Sequence, residues 1–199
     1  MLTEIIFNLI GIFIFLFLFW KKLKEDYFPS LIFSCAFYMI IGILLGFVVS
    51  SIFVRGAWFW LSFLGLALGF LIGVLRLRLR AYETIEAGTI SLLPWAALIF
   101  LADAATTSSV TSFLFGIFCA ALIVFYIFLD RHYKNFSWYA SGRVGFSGLA
   151  TLGTFFLLRA FLAIFTPSVL SFVSAETLIS GIIATVSFLA VYRLAREKV

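Results

Sequence analysis

An arginine stands alone among ten apolar residues in FFLLRAFLAIF (155–165). A guanidinium presents a planar fork of donors that matches phosphate oxygens, so Arg159 is a candidate anion site. The same side chain would serve as an interfacial anchor or as one half of a buried ion pair. The carboxylates that could compensate it are Asp103, Glu176 and Glu4, and an outer-leaflet lipid phosphate is the remaining candidate. Ionisable residues inside apolar segments are expensive, and they mark functional sites by default.

Other chemistry-bearing residues are scarce. His132, the single histidine, lies in DRHYKN and reads as a solvated loop residue. One histidine supports neither an HExxH zinc site nor a histidine cluster, and no metal site is expected. Cys35 and Cys119 both fall inside apolar stretches, where packing as small apolar residues is the expectation rather than a disulfide or a thiolate metal site. YETIE (82–86) places Glu83 and Glu86 one helical turn apart. They form either a paired acid or carboxylates held by a helix N-terminus near three arginines. TTSSVTS (106–112) reads as a capping run ahead of a helix. No nucleotide-binding loop appears, and no cofactor is implied.

The elements that must position these residues follow from composition. The chain has 199 residues, 64% hydrophobic and 12% charged, with a mean hydropathy of +1.21. Too few polar residues remain to cover a soluble domain of this length, which leaves a polytopic membrane protein. The net charge of +5 is spread in small clusters between apolar runs, the pattern of membrane loops rather than of a nucleic-acid surface.

A helix needs about 20 apolar residues to cross the hydrocarbon core. That length predicts spans near 4–20, 31–54, 57–75, 86–103, 110–129, 144–165 and 177–193, an all-α bundle of seven transmembrane helices forming one domain over 1–199. Breakers separate them: Pro29 and Ser30, Gly56, the run from Thr106 to Ser109, Gly142 and Pro167. Pro94 falls inside the fourth span, where it is expected to kink the helix. The opening MLTEIIFNLIGIFIFLFLFWKK has its positive charges after the apolar run and no A-x-A site, so it reads as a retained span rather than a signal peptide.

Lysine and arginine fix the expected orientation. Lys21, Lys22, Lys24, Arg76, Arg78, Arg80, Arg131, Lys134, Arg143, Arg193, Arg196 and Lys198 fall on one side of a seven-span chain, and Arg55 alone on the other. The N-terminus is thus expected outside and the C-terminus in the cytoplasm. Arg159 then sits about six residues, or ~9 Å, below the outer end of its span, within snorkelling reach. Gly42 with Gly46, and Gly65, Gly69 and Gly73, recur every four residues and predict a close helix–helix seam.

Several strings resemble the prolipoprotein diacylglyceryl transferase family. WLSFLGLALG (60–69) resembles its S-F-H-G-G-L-x-G stretch, with Ser62, Phe63, Gly65 and Gly69 in place. LLPWAALIFLADAA (92–105) resembles the segment whose proline leads into the signature G-R-x-G-N-F-x-N-G, and Pro94 matches that proline. SGLATLGTFFLLRAFLAIF (147–165) resembles the sixth span, with Arg159 on the family's arginine; the terminal YRLAREK is also of family type. The resemblance implies a seven-span enzyme of the bacterial inner membrane that moves diacylglycerol from phosphatidylglycerol to the lipobox cysteine of prolipoproteins. Leu64 replaces the family histidine, Leu101 the signature arginine, and Ala163 the glutamate that follows the sixth-span arginine. GRVG (142–145) is a coincidental look-alike, on the cytoplasmic side of the expected topology.

Thiol attack on the glycerol carbon needs a base, and departure of glycerol phosphate needs cations or donors. Of the family's polar groups that would bind phosphatidylglycerol and activate a thiol, only Arg159 is retained. The expectation is therefore a divergent member that keeps an outer-leaflet headgroup site, with Arg159, Asp103, Glu176 and Arg55 as candidates. Its partners would be an anionic phospholipid and a prolipoprotein signal segment. The alternatives are an active transferase drawing its base from Asp103, Glu176 or the substrate, a non-enzymatic lipid-binding or scaffold protein, and a small transporter.

Overall fold

A computed structural model describes residues 2–139, 141, 143–165 and 176–196, without the side chains of residues 2–4, 55, 164 and 165. Seven long helices account for nearly all of it: α1 (Leu2–Leu23), α2 (Pro29–Phe53), α3 (Trp58–Leu77), α4 (Ala81–Thr107), α5 (Val110–His132), α6 (Phe146–Phe165) and α7 (Glu176–Arg196). All seven are long and apolar enough to cross a membrane, and no strand occurs among the described residues. The protein is an all-α, multi-pass membrane bundle.

The helices outrun the apolar stretches that predicted them. α4 starts at Ala81 rather than near 86 and ends at Thr107, because its first turn is anchored by polar contacts instead of lipid. α3 closes on Arg78 in the left-handed region (φ 55°). Ser109 caps α5 by accepting from the Ser112 amide, as the hydroxyl-rich run predicted. Pro94 lies within α4, where it has no N–H to give to the carbonyl one turn back.

Packing is uneven. α2 lies along α3, α6 along α7, and α1 along α4; α4 also packs on α5 and α6. The α2–α3 seam runs through the glycines. A Cβ at Gly42 would strike the Gly65 carbonyl and one at Gly65 the Gly42 carbonyl, while Gly46 faces Leu61 and Gly69 faces Tyr38. Gly73 instead abuts the Cys35 thiol. A fully buried core of Phe15, Phe19, Ile32, Cys35 and Ala87 joins α1, α2 and α4. Outward-facing residues such as Phe13 (72% exposed), Leu75 (75%) and Val110 (71%) present the apolar surface that lipid requires.

The C-terminal ends of α1, α3 and α5 meet the start of α4, so the basic residues of three connections gather at one end. There the Tyr27 hydroxyl donates to Glu83 (2.6 Å) and accepts from the Arg80 amide (3.1 Å), while Arg80 pairs with Glu83 (2.9 Å). Burial and the bond to Glu83 push the Tyr27 phenol above its ordinary value of 10.0. A raised folded value favours the neutral phenol. Its contribution is thus full below pH ~10 and disappears as pH climbs through the folded value. Tyr27→Phe should cost about 1 kcal/mol at neutral pH and blunt the alkaline loss of stability, as read by melting at neutral and alkaline pH.

Candidate functional site

Arg159 is buried (3% exposed) less than two turns before Phe165, the last residue of α6, and its charge is met inside the protein. Its Nη2 lies 2.5 Å from Glu176 Oε1, the first residue of α7, and both side chains are nearly sealed from solvent. The antiparallel packing of α6 on α7 makes this pairing geometrically natural, since the end of one helix adjoins the start of the next.

The guanidinium lies over an aromatic wall. Its central carbon is 3.5 Å from the Phe59 ring centroid and 5.5 Å from that of Trp60. These rings belong to the first turn of α3 and continue into α6: Phe63 and Phe156 meet edge to face at 5.0 Å, and Trp60 stacks on Phe156 at 6.2 Å. A weakly hydrated, planar cation suits such a surface, and a desolvated cation–π contact contributes ~2 kcal/mol. Arg159 therefore does not snorkel to the interface. The aromatic wall offsets its desolvation where it stands.

On the other side of the wall lies a cavity of ≈ 220 Å³. It fills the gap between the α2–α3 hairpin and the α4–α6 body, and is lined by Phe59, Phe63, Leu92, Ile99, Phe155 and Phe156, with Ser62, Thr89 and Thr151 as its polar members. Phe59 is shared: one side of the ring meets Arg159 and the residue also borders the cavity. The chemistry on offer is a hydrocarbon-shaped space with a charged pair behind one wall.

The other expected site residues are distributed differently. Asp103, offered as a partner for Arg159, accepts a hydrogen bond from the Ser112 hydroxyl and ties the α4–α5 turn together, a local contact nine residues away that outcompetes a distant charge. The Arg55 and Glu4 side chains, Gly142, Pro167 and Lys198 lie outside the described residues. Leu64 is 53% exposed, Ala163 is buried, and Leu101 packs against Gly116, so none of the three positions that depart from the transferase pattern carries a base or a charge. His132 is the last residue of α5, exposed, with Nδ1 at 2.9 Å from the Phe128 carbonyl. No cluster of metal-ligating residues occurs among those described.

Sequence reasoning missed the importance of Glu86. It was expected, with Glu83, near arginines at a helix start. Glu83 does pair with Arg80, but Glu86 is buried (1% exposed) and faces a lysine. Its carboxylate receives Lys22 from α1 (3.0 Å), the Tyr126 hydroxyl from α5 (3.3 Å) and the Gly145 amide ahead of α6 (2.5 Å). Lys22 also reaches Asp130 (2.8 Å). One carboxylate thus joins four segments of the chain. Gly145 adopts φ +119°, a conformation that presents its amide to Glu86 and that glycine takes without strain. GRVG, set aside as coincidence, supplies this amide. The available signal was a glutamate five residues into a helix that carries no further charge until Asp103.

No family model, curated protein or solved structure matches this chain.

Proposed function

We propose that this protein binds a membrane phospholipid, with one acyl chain in the cavity between the α2–α3 hairpin and the α4–α6 body. The observation that carries the reading is the cavity itself: almost wholly apolar, set between helices, and backed by an aromatic wall that a buried arginine braces. Pockets of this kind take apolar ligands and use few polar groups to orient them. With the basic end in the cytoplasm, as the charge rule requires, Phe59 and Arg159 belong to the outer half of the membrane.

The finer reading draws on the resemblance to prolipoprotein diacylglyceryl transferase. On that reading the lipid is an anionic phospholipid of the outer leaflet of a bacterial inner membrane, with its phosphate on the Arg159 side. The protein is then a divergent relative that keeps a lipid site without the transfer reaction. Glu176 pairs with Arg159, and a carboxylate held in an ion pair is a poor base for generating thiolate. Prolipoprotein signal segments would be partners only if transfer activity survives.

Purified protein in mild detergent, examined by native mass spectrometry, should retain phospholipid. Leu92→Trp, which fills the cavity, should weaken retention about tenfold, the equivalent of ~1.4 kcal/mol. Retention unchanged by that substitution would place the lipid elsewhere. Arg159→Ala should narrow any preference for phosphatidylglycerol over phosphatidylcholine, and labelled phosphatidylglycerol with a lipobox peptide should give no thioether.

A further inference from the structure

Building on the reading of the cavity as a lipid-chain site, we propose that water is bound in the α4–α6 interface between Glu86 and the cavity floor. This water gives the carboxylate cluster at the basic end a proton connection to the occupant.

Four buried polar residues lie on the two helices that meet here. On α4, Glu86 and Thr89 stand one turn apart; on α6, Ser147 and Thr151 do the same. The Gly145 amide donates to Glu86 Oε2, and Gly148 lies against the Glu86 backbone. Those two contacts bring the first turn of α6, which holds Ser147, against the turn of α4 that holds Glu86. Thr89 and Thr151, one turn further along their helices, line the cavity. One turn is ~5.4 Å, a span that one or two waters bridge.

The hydroxyls supply the observation that calls for water. Ser147 and Thr151 are both 0% exposed, yet neither hydroxyl has a hydrogen-bond partner among the described residues. Thr89, by contrast, donates to the Ile85 carbonyl. Buried hydroxyls are ordinarily satisfied, and where protein groups do not do so, ordered water does.

The carboxylate end of the path can exchange a proton with the surface. Glu86 is met by Lys22 from α1, by Tyr126 and Asp130 from α5, and by Tyr133 from the turn that follows, with the Gly145 amide on the α6 side. One ammonium serves two carboxylates, so the cluster is one charge from neutral and accommodates one proton. The Lys22 and Asp130 side chains are 27% and 34% exposed, which opens the cluster at the basic end, while Glu86 closes it. Water between Glu86 and Thr151 extends that proton route to the cavity, so occupancy of the cavity responds to pH through Glu86.

Two measurements on the full chain test this. Thr151→Val and Ser147→Ala remove a hydroxyl with little change of shape. If each hydroxyl holds water, each variant melts about 2–4 °C lower than the wild type; an unchanged or raised melting point means an orphan hydroxyl in a dry interface and overturns the proposal. Retention of phosphatidylglycerol, compared by native mass spectrometry at pH ~5 and pH ~8, should differ about threefold in the wild type and become equal in Glu86→Gln. Retention independent of pH in the wild type overturns the coupling to Glu86. A wild type that holds no lipid at either pH sinks the lipid reading instead, while the melting data still report on the water.

Discussion

Arg159→Ala lowers the stability of the purified protein by about 3–5 kcal/mol, and Glu176→Ala does so by a similar amount. Each single change leaves the opposite charge buried without the counter-charge 2.5 Å away. The arginine variant also loses its stacking on Phe59, so it should be the worse of the two. The double variant Arg159→Leu, Glu176→Leu should recover most of the loss, because removing both charges removes both desolvation costs. Chemical denaturation in detergent, read by tryptophan fluorescence from Trp58 and Trp60, would compare all three. Single variants within 1 kcal/mol of wild type would mean that solvent reaches the pair and that the aromatic wall is loose. A stable double variant that still retains lipid would assign the pair to scaffolding alone.

The second large effect lies in the glycine seam. Gly42→Leu or Gly65→Leu should separate α2 from α3, since even a Cβ at either position would collide with a carbonyl of the facing helix. Backbone cannot rotate away as a side chain can. Overpacking alone costs about 1–3 kcal/mol, and here helix association is also lost, because close approach is what holds helices together in lipid. Gly181→Leu is the control: nothing lies within 4 Å of a Cβ at that position, so it should be neutral. Accessibility of Cys35 to a thiol reagent reads the outcome, since that thiol is buried against Gly73 in the same seam. Equal reactivity in all the variants would show that the seam tolerates bulk.

The helices were legible because hydropathy and charge placement are local properties of the chain. So was the isolation of Arg159, visible as one cation in an apolar run. Its partner was not. Asp103, Glu176 and Glu4 were equivalent candidates until the α6–α7 packing selected Glu176 and the Ser112 hydroxyl claimed Asp103. The aromatic wall was hidden by abundance: with 27 phenylalanines, Phe59 and Phe156 carry no distinguishing mark. Glu86 was misjudged for a related reason. Neighbouring arginines offered a local explanation, whereas its actual contacts come from Lys22, Tyr126 and Gly145, which are 64, 40 and 59 positions away. Pairings of that range belong to topology.

The packing order along the chain bears on biosynthesis. α1 docks on α4, although α2 and α3 come between them in sequence. A chain released from its N-terminus completes the α2–α3 hairpin while α4 has yet to emerge. Phe15 and Lys22 must therefore wait for Trp95 and Glu86 to arrive, and the first helix, touching α2 beforehand, completes its packing only after the fourth is in place.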